Sequence, residues 1–486
     1  MKKRVTVLIA LVAVLVVVAV ALAACDIYKQ NSIGMGDSDA AVVSNGGYYV
    51  EQGDYAYFIN GYVGSVTSNE WGAAYKQAIM RAKINEDGTY DVDNAQIVVP
   101  LSIYNTYAAG GFAVYGDWIY YATPNTEEDK TGTASTTYTD FMRTRTDGAV
   151  TQKIGTVTSR SYNYLFTPTR ILYYDGSSSS SITVRYFDFT GMSTDKSVDN
   201  GKGAKGGVLI ENATSVVWGY DAEWTPGAGA SVSDYVFYTR SLTGDDSYKH
   251  YNELCAVRYD GTDARVLATA AEGAGVDAQF TYSLSDITID SDQRATLYYT
   301  KSVYNYESSS ETSTGLYINT FDITNGFSAD NEKKLVATAP TSFYPLGYEE
   351  GMLATKGDAV YRVSATDAAA SGDVYTEANR VIARSEVTVE AVVGNYVYYS
   401  ASNVLYRIDT TGNRNEEVIV AEGVRTDWLE REFVGGKVFF FNTADYEYLN
   451  YVSLPADDED AAEPVLLGKM TQADLDAKAE AEKEEE

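Results

Sequence analysis

One signature recurs along this chain and limits its fold more than any other feature: a tight turn followed by an apolar, tyrosine-rich strand. Gly53-Asp54-Tyr55-Ala56-Tyr57-Phe58 is one copy, Gly116-Asp117-Trp118-Ile119-Tyr120-Tyr121 a second, and Gly394-Asn395-Tyr396-Val397-Tyr398-Tyr399 a third. Looser copies are Arg170-Ile171-Leu172-Tyr173-Tyr174, Asp234-Tyr235-Val236-Phe237-Tyr238, Ala295-Thr296-Leu297-Tyr298-Tyr299, Glu350-Gly351-Met352-Leu353-Ala354 and Gly436-Lys437-Val438-Phe439-Phe440. These make eight units, with steps of 41 to 64 residues between them. Such steps bracket the ~40–50 residues of a propeller blade.

Each signature strand is followed by a second strand that often carries a basic residue, as in Leu405-Tyr406-Arg407-Ile408-Asp409. A third, apolar strand then closes the unit, as in Ala264-Arg265-Val266-Leu267-Ala268 and Glu417-Val418-Ile419-Val420. Turns such as Asp260-Gly261 accept the positive φ of tight hairpins, so neighbouring strands should run antiparallel. Between residues 46 and 467 no long helical period appears, while Val, Thr, Tyr and Phe dominate. The expected fold is all-β, a β-propeller of repeated small antiparallel sheets, with eight blades preferred and seven the next count. Two stacked sandwiches are the rival, but they do not predict one signature repeated throughout. In the propeller Tyr57, Tyr120, Tyr173, Tyr298 and Tyr398 should occupy equivalent positions, and most of the 42 tyrosines should be packing residues with a polar tip.

The ends of the chain read differently. Met1-Lys2-Lys3-Arg4 precedes an uncharged apolar run over residues 5–24 that ends in Leu22-Ala23-Ala24-Cys25, the order of an export signal. The expected layout is a signal peptide over residues 1–24, a tether over 25–43, the propeller over 44–468 and an acidic, partly helical or disordered tail over 469–486. With Lys2, Lys3 and Arg4 removed, the net charge of −31 becomes −34. A field of that sign repels nucleic-acid phosphates and anionic surfaces. Only two cysteines are present. Cys255 alternates with polar neighbours on a strand and is read as a buried, inert thiol.

Two resemblances sharpen this. Leu22-Ala23-Ala24-Cys25 resembles the bacterial lipobox, which implies a lipid on Cys25 and a location on the outer face of the bacterial cell membrane. The apolar run is also near the ~20 residues that span a bilayer, so a single-pass N-terminal transmembrane anchor is the alternative. Ile119-Tyr120-Tyr121-Ala122-Thr123 with Arg143-Thr144-Arg145-Thr146-Asp147-Gly148, and Val257-Arg258-Tyr259-Asp260-Gly261, resemble the YWTD repeat of low-density-lipoprotein-receptor propellers. As a whole the chain is similar to uncharacterised bacterial surface lipoproteins with such a propeller. The receptor propellers have six blades, so the blade count departs from theirs and no binding residue transfers.

Catalytic and metal motifs are scarce. His250 is the one histidine and lies in a polar stretch; no G-x-S-x-G elbow accompanies it. Gly468-Lys469 lacks the earlier glycine of a phosphate loop, and the glycine-rich stretch 201–207 reads as an inter-strand loop. Acids fall mostly in turns, as Asp54, Asp117, Asp147 and Asp260 do, where turn chemistry explains them. Asp286, Asp290 and Asp292, and likewise Asp87, Asp91 and Asp93, carry the oxygen ligands calcium prefers but not the EF-hand order. No cofactor is assigned, calcium included.

Loop length points to a binding face. The connection after the signature strand takes 20 residues between Phe58 and Ile79, 19 between Tyr121 and Phe141, 15 between Tyr238 and Leu254 and 16 between Tyr299 and Leu316. It takes only 7 between Tyr174 and Ile182 and 5 between Tyr399 and Leu405. Equivalent connections leave a meander on one side, so the long ones should share a face and present Tyr62, Trp71, Tyr75, Tyr138, Tyr248, Tyr251, Tyr304 and Tyr306 to a ligand. The bland reading makes them extended hairpins whose rings pair across strands. The leading function is therefore a non-catalytic module binding an envelope protein or cell-wall glycan. The alternative is a polysaccharide-active hydrolase or lyase, favoured if acids on inner strands converge in one axial pocket.

Overall fold

The structure, a computed structural model, describes residues 34–36, 47–62, 75–100, 111–124, 139–157, 162–175, 181–194, 203–218, 231–241, 252–269, 278–305, 308, 310–365, 373–410, 417–425, 432–454 and 462–485. Within them the chain is all-β, and seven small antiparallel sheets follow one another in sequence order. The first holds Tyr49–Gln52, Tyr55–Ile59, Ile79–Lys83 and Gln96–Val99. The second begins Phe112–Tyr115, Trp118–Pro124 and Thr139–Arg145. Every signature segment forms a strand, but as the second strand of its unit, not the first. The glycine turn folds it back onto a preceding strand, pairing Tyr49 with Phe58 and Phe112 with Tyr121. Gly53, Gly116 and Gly394 take positive φ at these turns, which a side chain would resist. The preceding strands can be as short as Phe433–Val434, two residues, or the four of Tyr49–Gln52, too short to show a period of their own.

Seven sheets contain eight signature strands because the third sheet is double. Its strand Lys205–Trp218 pairs along its first half with Ile182–Asp188 and along its second with Tyr235–Ser241. It turns between the two at Asn212, with φ 57°, and at a register shift between Ala213 and Ser215. A bulge bends and twists its strand, so one strand closes one unit and opens the next. The glycine-rich stretch is corrected accordingly: Gly206 and Gly207 lie in this strand, opposite Phe187 and Tyr186. A Cβ at Gly207 would fall 2.4 Å from the Tyr186 ring, which covers the bare backbone.

Apolar clusters sit between consecutive units, face against face. Phe141 with Ile171 joins the second sheet to the third, Phe237 with Leu297 the third to the fourth, and Tyr298 with Met352 the fourth to the fifth. Leu353 with Val397 and Tyr398 with Phe440 continue the series. It then closes: Tyr49 stacks on Phe439 of the seventh sheet with centroids 3.5 Å apart, and the Tyr48 amide donates to Glu432 Oε1 at 2.8 Å. The first strands of several neighbouring sheets, Tyr49–Gln52 and Phe112–Tyr115 among them, lie against one another, on the inner side of this propeller-like arrangement. The five named tyrosines are equivalent in register. Tyr57, Tyr120, Tyr173 and Tyr398 stand opposite Arg81, Arg143, Arg185 and Arg407 on the next strand, and Tyr298 opposite Ile318.

The tail contains the helix Gln472–Glu485. Thr471 accepts from the Asp474 amide at its start, and Lys478 pairs with Asp445. Among the described residues no helix is long and apolar enough to cross a membrane; Cys25 and the apolar run lie outside them.

Candidate functional site

Three inner strands border a small cleft. Asn163 comes from Tyr162–Phe166, Val216, Val217 and Trp218 from the end of Lys205–Trp218, and Asp286 and Ile287 from Ala278–Ile289. Tyr174, directly opposite Asn163 in the sheet, completes it. The cavity is about 170 Å³, below the ~300 Å³ of a cleft for a drug-sized ligand. It admits one ring or one polar group, not an extended chain.

Its walls combine two chemistries. Tyr174 meets Trp218 edge to face, centroids 5.3 Å apart and planes at 62°, a favoured aromatic geometry. Beside them Asp286 and Asn163 bring a carboxylate and an amide. A register shift between Leu284 and Asp286 turns the strand here, and the Ile287 amide donates to Asp286 Oδ1 at 2.8 Å. The neighbouring Tyr298 hydroxyl donates to Gly351 O at 2.6 Å and is shifted well above the usual tyrosine range, first by burial. It is therefore a hydrogen-bonding phenol and not a base.

Other acids on or beside first strands are engaged structurally. Glu51 accepts from the Tyr49 hydroxyl, buried Glu390 from Ser400 Oγ, and Glu432 from the Tyr48 amide. Asp286 is the one carboxylate lining the cleft among the described residues. Asp290, grouped with it in the sequence, pairs with Arg294 at 2.8 Å, and in the second acidic set Asp87 accepts from the Thr89 amide and Asp91 from Asn94. A second, open groove beside Leu209 and Tyr238 includes Arg240, which is paired with Glu253 at 2.8 Å.

The aromatic face expected from loop length meets these findings unevenly. Tyr62 is corrected: it is 4% exposed, packs near Phe441 and carries Arg425 3.6 Å above its ring. It follows its strand immediately, and the sheet closure buries it. Tyr75 opens the short turn Tyr75–Gln77. Tyr304 lies in the strand Ala295–Asn305, opposite Gln279 and Glu311. That connection is an extended hairpin, paired out to Asn305 and Ser310. Trp71, Tyr138, Tyr248, Tyr251, Tyr306 and His250 lie outside the described residues. Asp286, Trp218 and Asn163 were missed as a site because nothing local joins residues so far apart in sequence. The contiguous apolar run Val216-Val217-Trp218 is the one local signal in the sequence.

No family model matches the chain, and no curated protein does. It is similar in fold to a prolyl endopeptidase at 12% identity and TM-score 0.39, covering 85% of this chain and 54% of that one. The chain thus spans about half the length of that peptidase. It is also similar to a PL25 ulvan lyase, at 8% identity and TM-score 0.33, covering 91% of this chain and 97% of the lyase. A Penicillium chrysogenum α-L-arabinanase matches at 13% identity and TM-score 0.27, over 62% of this chain and 88% of its own.

Proposed function

We propose that this protein is a lipid-anchored, extracytoplasmic β-propeller of eight blades whose inner-strand cleft binds a single sugar residue or polyol end of an envelope glycan. The observation that carries the binding reading is the pairing of the Tyr174–Trp218 corner with Asp286 and Asn163 in one cavity. An aromatic wall bordered by a few fixed polar groups suits a ring with one apolar face and several hydroxyls. The count of eight rests on the double third sheet, in which one strand serves two units. The anchor rests on Leu22-Ala23-Ala24-Cys25.

A non-catalytic role is preferred because glycosidases of either stereochemistry use two carboxyl groups across the bond they cut. The cleft offers Asp286 alone among the described residues. The test is calorimetric titration with defined cell-wall oligosaccharides, followed by chromatography of the same mixtures. Saturable binding with unchanged saccharides is expected, weakened about tenfold by Asp286→Asn, as loss of a charged acceptor predicts. Shortened or unsaturated products that vanish in the same variant would establish the hydrolase or lyase instead. Unaltered binding in Asp286→Asn would move the site away from this cleft.

A further inference from the structure

Residues 34–36 belong by sequence to the tether, yet they are built into the domain. Arg81, 5% exposed, donates through Nη1 to Gly34 O at 3.0 Å and to Thr146 O at 3.2 Å. The Gly36 amide donates to Thr146 Oγ1 at 3.2 Å. A Cβ at Gly36 would fall 2.3 Å from the Tyr57 hydroxyl and 3.4 Å from Gln52 Oε1. The strap therefore enters a slot that only glycine fits, over side chains of two sheets. Gln52 Nε2 closes the same seam by donating to Gly116 O at 2.8 Å. A buried guanidinium gives stronger bonds to carbonyls than a neutral donor does, so docking these three residues adds a carbonyl partner to a buried cation that also binds Thr146 O.

The slot lies at one particular end of the sheets. Gly116 is in a turn between first and second strands, and the Thr146 amide donates to Asp117 O beside it. The long connections between second and third strands leave the opposite end. Nine peptide steps separate Cys25 from Gly34, about 30 Å at full extension. Were the chain held only from Gly47, 22 steps would allow about 75 Å. A body of ~420 residues has a radius of gyration of about 22 Å, hence roughly 50 Å across. A leash docked at one end and only 30 Å long cannot bring the other end to the bilayer.

We infer that residues 34–36 form an orientation strap that presents the first-turn end to the membrane and the long connections outward. The docking stands by itself; the orientation rests on the lipid-anchor reading above. Hydrogen exchange on the full chain tests the first. The Gly36 amide should exchange at least tenfold more slowly in the wild type than in Gly36→Leu, with the core strands unchanged. Thr146→Val, which removes the acceptor at nearly constant shape, should have the same effect if the leucine variant folds poorly. Equal exchange in wild type and variants would overturn the strap.

The orientation is read by energy transfer from single labels to acceptor lipids in phosphatidylcholine–phosphatidylglycerol vesicles. Labels at Asn395→Cys, on a first-to-second turn, should transfer more than labels at Asp358→Cys, on a second-to-third turn. Both positions are exposed. The contrast should disappear in Gly36→Leu, and a contrast that survives there would refute orientation by the strap. An intact Met1 by mass spectrometry, in protein recovered outside the membrane fraction, would remove the anchor and the orientation with it, while the exchange result would still decide the docking.

Discussion

The Arg407 guanidinium lies over the Tyr396 ring, 4.6 Å from its centroid, while Arg407 itself stands opposite Tyr398 on the adjacent strand. The arrangement repeats: Arg81 covers Tyr55 and Arg143 covers Trp118, each at 4.2 Å. A basic residue on the third strand thus spans two rings of the signature strand. Its stem packs, and its charge meets a ring face. Burial should set its worth. Arg407 is 2% exposed, whereas Arg185, at the same register position opposite Tyr173, is exposed. Arg407→Ala should therefore cost about 2–3 kcal/mol through lost packing and an unfilled space, with Arg407→Lys recovering less than half. Arg185→Ala should stay within about 0.5 kcal/mol of wild type. Urea midpoints at constant m-value measure both, and equal losses at the two positions would refute burial as the cause.

Gly351 opens the sixth signature strand at φ 76°, and a Cβ there would stand 2.0 Å from Val363 O. The obstacle is backbone, which cannot swing aside as a side chain can. Gly351→Ala should cost at least about 2 kcal/mol, combining the left-handed conformation with the clash. By contrast, a Cβ at Gly357 has nothing within 4 Å, so Gly357→Ala should lose only the conformational part, about 1 kcal/mol. Thermal midpoints of the two variants, compared side by side, check the ordering.

The repeat was legible because each signature strand is bounded by a turn and carries its tyrosine at one register, which placed Tyr57 and Tyr398 correctly although 341 residues apart. Its short partner strands were not, since Tyr49–Gln52 gives only two residues to each face. Nor was the shared strand Lys205–Trp218: its glycines resemble a loop until Tyr186 is seen to cover Gly207. Tyr62 shows the limit of reading loops by length. Its burial depends on Phe441 and Arg425, which come together with it only when the last sheet closes on the first. The cleft is tertiary in the same sense, since Asn163, Trp218 and Asp286 come from three different strands.

Cys255 was read as inert, and its surroundings give the reason. It is 1% exposed, and burial pushes its thiol up to about 11. At neutral pH almost none of it is thiolate, the form that reacts. A thiol-specific reagent should leave Cys255 unlabelled in the folded chain at pH 7.5 and label it after denaturation. Rapid labelling of the native protein at Cys255 would mean that the third sheet opens readily.

The C-terminal helix should respond to acid. Tyr448 donates its hydroxyl to Asp474 Oδ2 at 2.6 Å, and Thr471 Oγ1 donates to the same oxygen at 2.7 Å. The Tyr448 hydrogen bond is the largest influence holding the Asp474 carboxyl below its ordinary 3.8. A depressed pKa in the folded state means the stabilisation is complete above the unfolded value and is lost as pH falls through the lower, folded one. Asp474 is mostly solvated, so the effect concerns local docking of Gln472–Glu485 and not global stability. The helix should stay protected from hydrogen exchange, after correction for the intrinsic rate, at pH 5 to 7. It should lose that protection below about pH 4, with the inner strands unaffected. Asp474→Asn should show the reduced protection at every pH and abolish the acid step. Protection that is independent of pH in the wild type would mean that the Lys478–Asp445 pair, not Asp474, holds the helix in place.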